Sequence, residues 1–391
     1  MARLLQIFGF LSVLFRGATL AFQSLTAGGI VFLVLILRGA SEESTNIKAG
    51  CLKWIRRFAL ALTAMQVSYL LANVLILMQS AGISLAEVSG ANFVLAGALG
   101  ITTSLAIVAL ASALRGDHYA ALLLPAAVII AASVLTSHSM ARLEYRLPLV
   151  LITALHQLAT AVWLGGLPFL LIVIRRSPSA EFARQISARF STLALVSVGV
   201  LASAGVLLSF AYVGSFKAVY STSYGAMVAT KVILFGVLLF LGALNFQLVR
   251  NGQASTILAS LKRFGEAEIG IGITVILAAA SLTSLPPAVD LTQDRVSVKE
   301  IYERMTPRPP RFGSPAMQEL PEDIYAAQKK AFEVGSLSTE SFVPGQSGTR
   351  LNTPAEKAWS EYNHHWAGII VLSVGLLALL AQAGQLSWAR N

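Results

Sequence analysis

The sequence holds a single cysteine and little charge. Cys51 is the one thiol in 391 residues, which excludes an intramolecular disulfide and any Cys-x-x-Cys metal or redox centre. Metal chemistry therefore falls to histidine, methionine and carboxylates, and Cys51 itself reads as a small apolar core residue. Charged side chains make up 12% of the chain where soluble domains carry roughly 25%, so a water-soluble globular fold is excluded. No GxxxxGK[ST] phosphate loop and no DKTG phosphorylation motif occurs, which removes ATP hydrolysis as a power source and points away from an enzyme. A basic face with interleaved aromatics is also missing, so the net charge of +10 does not indicate nucleic acid.

What is present is apolar sequence long enough to cross a bilayer many times. Runs bounded by charges or turn residues fall at about 12–38, 54–79, 92–114, 119–137, 147–174, 191–213, 224–249, 267–285 and 364–386. They predict an all-α, polytopic transmembrane bundle of about nine helices, with the lipid bilayer as its solvent. The N-terminal "LLQIFGFLSVLF" resembles a signal peptide, but no small-residue cleavage site follows it, so it is read as part of the first span. Arg38, Lys48, Lys53, Arg56 and Arg57 follow the first run, Arg175, Arg176, Arg184 and Arg189 the fifth, and Arg250, Lys262 and Arg263 the seventh. Basic loops stay cytoplasmic, which predicts an inner (plasma) membrane protein with its N-terminus outside and its C-terminus in the cytoplasm. Arg142 and Arg146 run against this pattern.

The predicted organisation is a bundle over 1–286, an extracytoplasmic loop or cap over 287–362, and a ninth span with a tail over 363–391. Most prolines lie in the loop, and "PEDIYAAQKKAFEV" (321–334) has the spacing of a short amphipathic helix or of a solvated linker.

Polar side chains inside a span cost several kcal/mol unless satisfied, so they mark the bundle interior. Four of the five histidines map to the predicted outer half. In "TSHSM" (136–140), His138 and Met140 pair an imidazole with a thioether, a combination that suits copper and especially the soft Cu(I) ion; taken alone, the motif is more commonly an interfacial histidine beside an incidental methionine. In "TALHQLATAVWLGG" (153–166), Thr153, His156, Thr160 and Trp163 share one helix face, for function or for packing, and Gly165, Gly166 and Pro168 offer a hinge. "EYNHHWAGIIVL" (361–372) sets His364 and His365 about 100° apart on a helix, so at most one faces a central site. An interfacial anchor with Trp366 or a cap by Asn363 also explains that pair. Lys231 and Arg16 are expected to snorkel, or Lys231 to pair with Glu361 inside the bundle. Glu266 and Glu268 suit a helix N-terminus or the receipt of a cation.

Four segments carry a family resemblance: "HQLATAVWLGGLPFLL" (156–171), "RFSTLALVSVGVLASAGVLLSF" (189–210), "YGAMVATKVILFGVLLFLGALN" (224–245) and "AAASLTSLPPA" (278–288). Together they resemble the CopD copper-resistance membrane proteins, over a core of about 118–288. The resemblance implies an inner-membrane protein that moves copper across the bilayer or hands it on, with copper bound by the chain and a CopC-like periplasmic protein as a separate partner. His156 lies in a matching segment; His138, Met140, His364 and His365 rest on their own chemistry. Two other classes stay open: a b-type haem cytochrome ligated by paired histidines, and a metal-free scaffold subunit of a membrane complex.

Overall fold

A computed structural model describes residues 2–39, 45–114, 118–177, 179–251, 254–291, 295–306, 310, 312–314 and 354–382, and among these the regular structure is helical throughout. The helices are α1 (Ala2–Val31), continued by a π-helical turn (Phe32–Ile36), α2 (Thr45–Ala81), α3 (Leu85–Ser89), α4 (Asn92–Ala113) and α5 (Leu123–Val134), the last preceded by a 3-10 turn (His118–Leu122). There follow α6 (His138–Ala141), α7 (Arg146–Arg176), α8 (Ala180–Tyr212), α9 (Phe216–Ser221), α10 (Ser223–Asn251), α11 (Ala254–Leu282), α12 (Val298–Met305) and α13 (Pro354–Gln382).

Among the described residues, seven helices are long and apolar enough to cross a membrane, namely α1, α2, α4, α7, α8, α10 and α11. The chain is a multi-pass membrane protein. In lipid a helix satisfies its own backbone donors and acceptors, which is why these runs fold as helices and why many Leu, Val and Phe side chains of α4, α8 and α10 remain outward-facing. Each predicted run has a helix, with shifted ends. The sixth begins at Ala180 rather than 191, because Ser179 caps it by accepting the Phe182 N–H (3.1 Å) and Arg184 pairs with Glu181 (2.8 Å). A boundary drawn at charged residues misses this polar first turn.

The chain divides into two compact units, Met1–Val296 and Ser297–Asn391. The first reaches past the predicted bundle end at 286 because the segment after α11 is tied back. The Val296 N–H donates to the Ser221 carbonyl (3.0 Å), and Arg295 donates to the Leu291 and Ala288 carbonyls (2.8 and 3.3 Å). In the second unit, Ser297 caps α12, and Trp366 of α13 donates to the Phe312 carbonyl (3.3 Å) with the two rings edge to face. The amphipathic segment expected at 321–334 lies outside the described residues.

Helix α1 is the centre of the first unit, packed against α2, α5, α7 and α11. Its buried Thr19, Ser24 and Thr26 return their hydroxyls to carbonyls four residues earlier (2.7–2.8 Å), so they sit in the interior without needing outside partners. Arg16 is buried too, 7% exposed, with its guanidinium over the Tyr69 ring at 5.9 Å, so a cation–π contact replaces the expected snorkelling. Cys51 is fully buried in the core cluster, as a small apolar residue would be. Outside the spans, Ser84 and Glu87 form a capping box at α3; the Ser84 hydroxyl and then its N–H hold the Glu87 carboxyl below its ordinary value.

The closest helix crossing is α1 on α7. A Cβ on Gly28 would stand 2.0 Å from the Ala161 carbonyl oxygen, and one on Gly165 would stand 1.9 Å from the Ser24 carbonyl oxygen. A Cβ on Gly166 would meet the Phe190 ring at 2.6 Å. Close backbone approach accounts for Gly165 and room for the Phe190 ring for Gly166, where a hinge was expected, and α7 runs unbroken through Pro168. Gly165→Leu should cost at least the roughly 1–3 kcal/mol of an overpacked core, because a backbone carbonyl and not a side chain blocks the new atoms. Gly199→Ala, at a position open to space, should be close to neutral. Thermal unfolding of the detergent-solubilised protein, followed by helical circular dichroism, checks both.

Candidate functional site

Two polar regions lie along α7. The first surrounds His138. Tyr145 adopts a left-handed conformation (φ 53°), which turns the chain from α6 into α7 and folds α6 back over the helix end. There the Ser139 hydroxyl sits between Thr153 of α7 (2.6 Å) and the Tyr212 hydroxyl of α8 (2.9 Å). His138, beside it, has its ring centroid 6.3 Å from that of Tyr212 and its Nε2 3.1 Å from the Leu282 carbonyl of α11. A carbonyl only accepts, so Nε2 carries the proton and Nδ1 is left as the basic nitrogen. A carbonyl that fixes the tautomer in this way is what a metal-binding imidazole commonly has behind it.

The two arginines that opposed the charge pattern are both engaged here. Arg142 makes a bidentate pair with Asp290 (2.9 Å to each oxygen) and lies over the Tyr212 ring at 5.6 Å. Arg146 donates twice to the Met140 carbonyl (3.0 and 2.9 Å), which pins the half-exposed Met140 at the rim.

One turn further along α7 is His156. Its ring faces Gly205 of α8, with Cε1 3.7 Å from where a Cβ would stand, and the Leu201 carbonyl one turn earlier is directed at it. Its Nδ1 is buried with no hydrogen-bond partner. Lys231 of α10 is close enough to act on the ring electrostatically. The expected stripe divides by role: Thr153 serves Ser139, Thr160 returns its hydroxyl to the His156 carbonyl (2.8 Å), and Trp163 packs edge-on against Phe235 of α10 at 6.0 Å. The α8 neighbours of His138 and His156, Tyr212 and Gly205, are seven residues apart, about 10 Å along a helix. The two imidazoles thus stand against α8 about two helical turns apart.

His364 and His365 lie on α13, in the second unit. His364 Nδ1 donates to the Ser360 carbonyl at 2.7 Å, which leaves Nε2 as its basic nitrogen; His364 is exposed and His365 half-buried. Among the described residues no three His, Cys, Asp or Glu side chains form a cluster able to hold a metal ion. Any site of higher ligand number draws on methionine, on motion, or on an incoming partner.

The second polar region was only half visible in the sequence. Because α11 begins at Ala254, Glu266 and Glu268 lie in its middle and not at an N-terminus, so the helix-dipole reading fails. Glu266 pairs with Arg175 at 2.8 Å on the surface. Glu268 is 2% exposed and accepts a hydrogen bond from the Asn245 amide of α10. Both line a cavity of about 280 Å³ between α7, α8, α10 and α11, with Ser187 as another polar side chain in a mostly apolar wall. Asn245 was noted only as part of a family pattern; a lone amide in an apolar run was the signal.

Residues 184–282 match the family described as copper resistance protein D. That segment holds α8, α10 and α11, hence Gly205, Tyr212, Lys231, Asn245 and Glu268; it stops short of α7, so it does not reach His138, Met140 or His156. Over 226 residues, 57% of this chain, the sequence is 30% identical to the copper transport protein CutJ of Bacillus subtilis (strain 168). The alignment spans 35% of that protein's length. No solved structure matches the chain. Through residues 184–282 the chain is thus similar to the CopD family.

Proposed function

We propose that this protein handles copper as cargo, accepting it at the His138 end of the bundle and passing it into the membrane interior along α7. The observation that carries this reading is His156: an imidazole in the middle of a membrane helix whose Nδ1 is buried and unpartnered, against a glycine of the CopD segment. An orphaned polar atom in that setting costs free energy that packing alone does not return, whereas a soft metal ion would satisfy it.

The chemistry of the relay follows from the donors. His138 offers Nδ1 and Met140 a thioether at the rim, a pair suited to Cu(I); His156 offers one nitrogen about two turns deeper, so the ion advances by exchanging ligands instead of sitting in one closed shell. His364 and His365, in the second unit, are further candidate copper ligands, and a CopC-like copper-binding protein is the proposed donor. Lys231 beside His156 opposes a bare cation and so sets how far the ion travels before its charge must be offset. The copper transport named for the Bacillus protein supports this reading. The distribution of basic residues is in keeping with it: by the positive-inside rule the His138 end would face outside the inner membrane and the C-terminus the cytoplasm. Ligand exchange of this kind is transport, not catalysis.

His156→Ala should lower Cu(I) affinity at least about tenfold, ~1.4 kcal/mol, in competition with a chromophoric chelator; an unchanged isotherm removes His156 from the path. A reduced Soret band in the purified protein would instead assign the imidazole to haem. Orientation is testable separately. With Cys51 replaced by Ala, a cysteine at Leu143 (93% exposed) should react with a membrane-impermeant thiol reagent in intact cells, and one at Lys48 only in inverted vesicles. The opposite labelling would overturn the topology.

A further inference from the structure

The cavity around Glu268 is a second site of different chemistry. A carboxylate that is 2% exposed inside an apolar helix is held by one amide donor, and among the described residues no basic side chain forms an ion pair with it. Two further polar atoms of the cavity wall have no partner. Asn245 gives its N–H to Glu268, and its Oδ1 is buried without a partner; Ser187, 1% exposed, has a buried hydroxyl oxygen without a partner. All three side chains line the one cavity. Three kinds of oxygen, one of them carboxylate, thus converge where lipid-facing helices would ordinarily carry only hydrocarbon.

Oxygen donors of this sort are hard ligands. They suit a proton or an alkali cation, and they discriminate against Cu(I), which prefers thioether and imidazole. Arg175 pairs with Glu266 at the surface and not with Glu268. We propose that the Glu268–Asn245–Ser187 cavity is a binding site for a hard monovalent cation, H⁺ or Na⁺, separate from the soft-ligand path through His156. Glu268 supplies the charge, Asn245 holds the carboxylate in place while turning its own carbonyl oxygen to the ion, and Ser187 completes the oxygen set from α8. In a bundle with no ATP motif, such an ion is a means of coupling movement to a gradient. The site itself stands or falls without the copper reading.

The test uses the full chain in lipid nanodiscs. Binding of radioactive Na⁺ is measured by equilibrium dialysis, with choline holding the ionic strength, and protonation is measured by infrared difference spectra of the carboxylic-acid carbonyl band during a pH titration. If Na⁺ is the ion, the wild type binds it saturably, Glu268→Gln loses binding, and Ser187→Ala weakens it several-fold. If H⁺ is the ion, a titrating carboxylic-acid band is present in the wild type and in Ser187→Ala and is missing in Glu268→Gln. Ser187→Ala keeps the carboxylate and its amide donor, so it remains informative should Glu268→Gln fold poorly. Wild type and Glu268→Gln giving superimposable Na⁺ isotherms and superimposable infrared titrations overturn the proposal. So does Cu(I) binding that Glu268→Gln abolishes and His156→Ala spares. Loss of Cu(I) binding in His156→Ala with the Glu268 response intact keeps the two sites distinct.

Discussion

The contact of α1 with α7 at Gly28 and Gly165 governs the first unit. Lipid tails are as apolar as leucine, so transmembrane helices are not driven together by burial of hydrocarbon; they associate where small residues let backbones and side chains fit closely. Here each glycine admits the other helix's carbonyl oxygen to a distance no Cβ would tolerate. The Gln23 to Gln157 hydrogen bond, 3.0 Å, fixes the register beside this crossing. With that face of α7 committed to α1, the stripe carrying His156 and Trp163 turns toward α8 and α10. Phe32, Phe169 and Phe190 then fill the space at the far end, with centroids 5.7–6.2 Å apart.

Polar groups follow from the same geometry. Where a hydroxyl has no functional use, the helix absorbs it locally, as Thr19, Ser24, Thr26 and Thr160 show by bonding to carbonyls one turn back. Where side chains from different elements meet, they either close a network, as Ser139, Thr153 and Tyr212 do, or leave atoms without partners, as at His156, Asn245 and Ser187. Other buried atoms without partners lie elsewhere, on Gln23, Gln66, Ser133, Ser221 and Trp359. Nitrogen and sulfur donors gather toward the His138 end and oxygen donors toward the Glu268 end. A single helix bundle thus offers two kinds of ion environment, and the proposed copper path uses the first.

Much of the architecture could be read from hydropathy, because a bilayer leaves backbone few alternatives to helix. The His138–Met140 pair and the α7 stripe were also legible, since charged and ionisable residues stand out in an apolar run. What pattern alone did not reveal was partnership. Whether Arg16 reached water or a tyrosine ring depended on α2, and whether Gly165 bent α7 or packed it depended on α1. Glu268 was assigned to a helix start because polar residues mark apparent boundaries, whereas α11 simply continues through them from Ala254. The family match explains another limit: it covers α8, α10 and α11 but not α7, so it speaks for the helices beside His156 and not for His156 itself.

The central claim is that soft donors on α6 and α7 take up copper. X-ray absorption at the copper edge of the Cu(I)-loaded, full-length protein tests it most directly. The account predicts imidazole nitrogen and one sulfur scatterer, with the sulfur lost in Met140→Leu; a first shell of oxygen alone, or a protein that retains no copper, would contradict it.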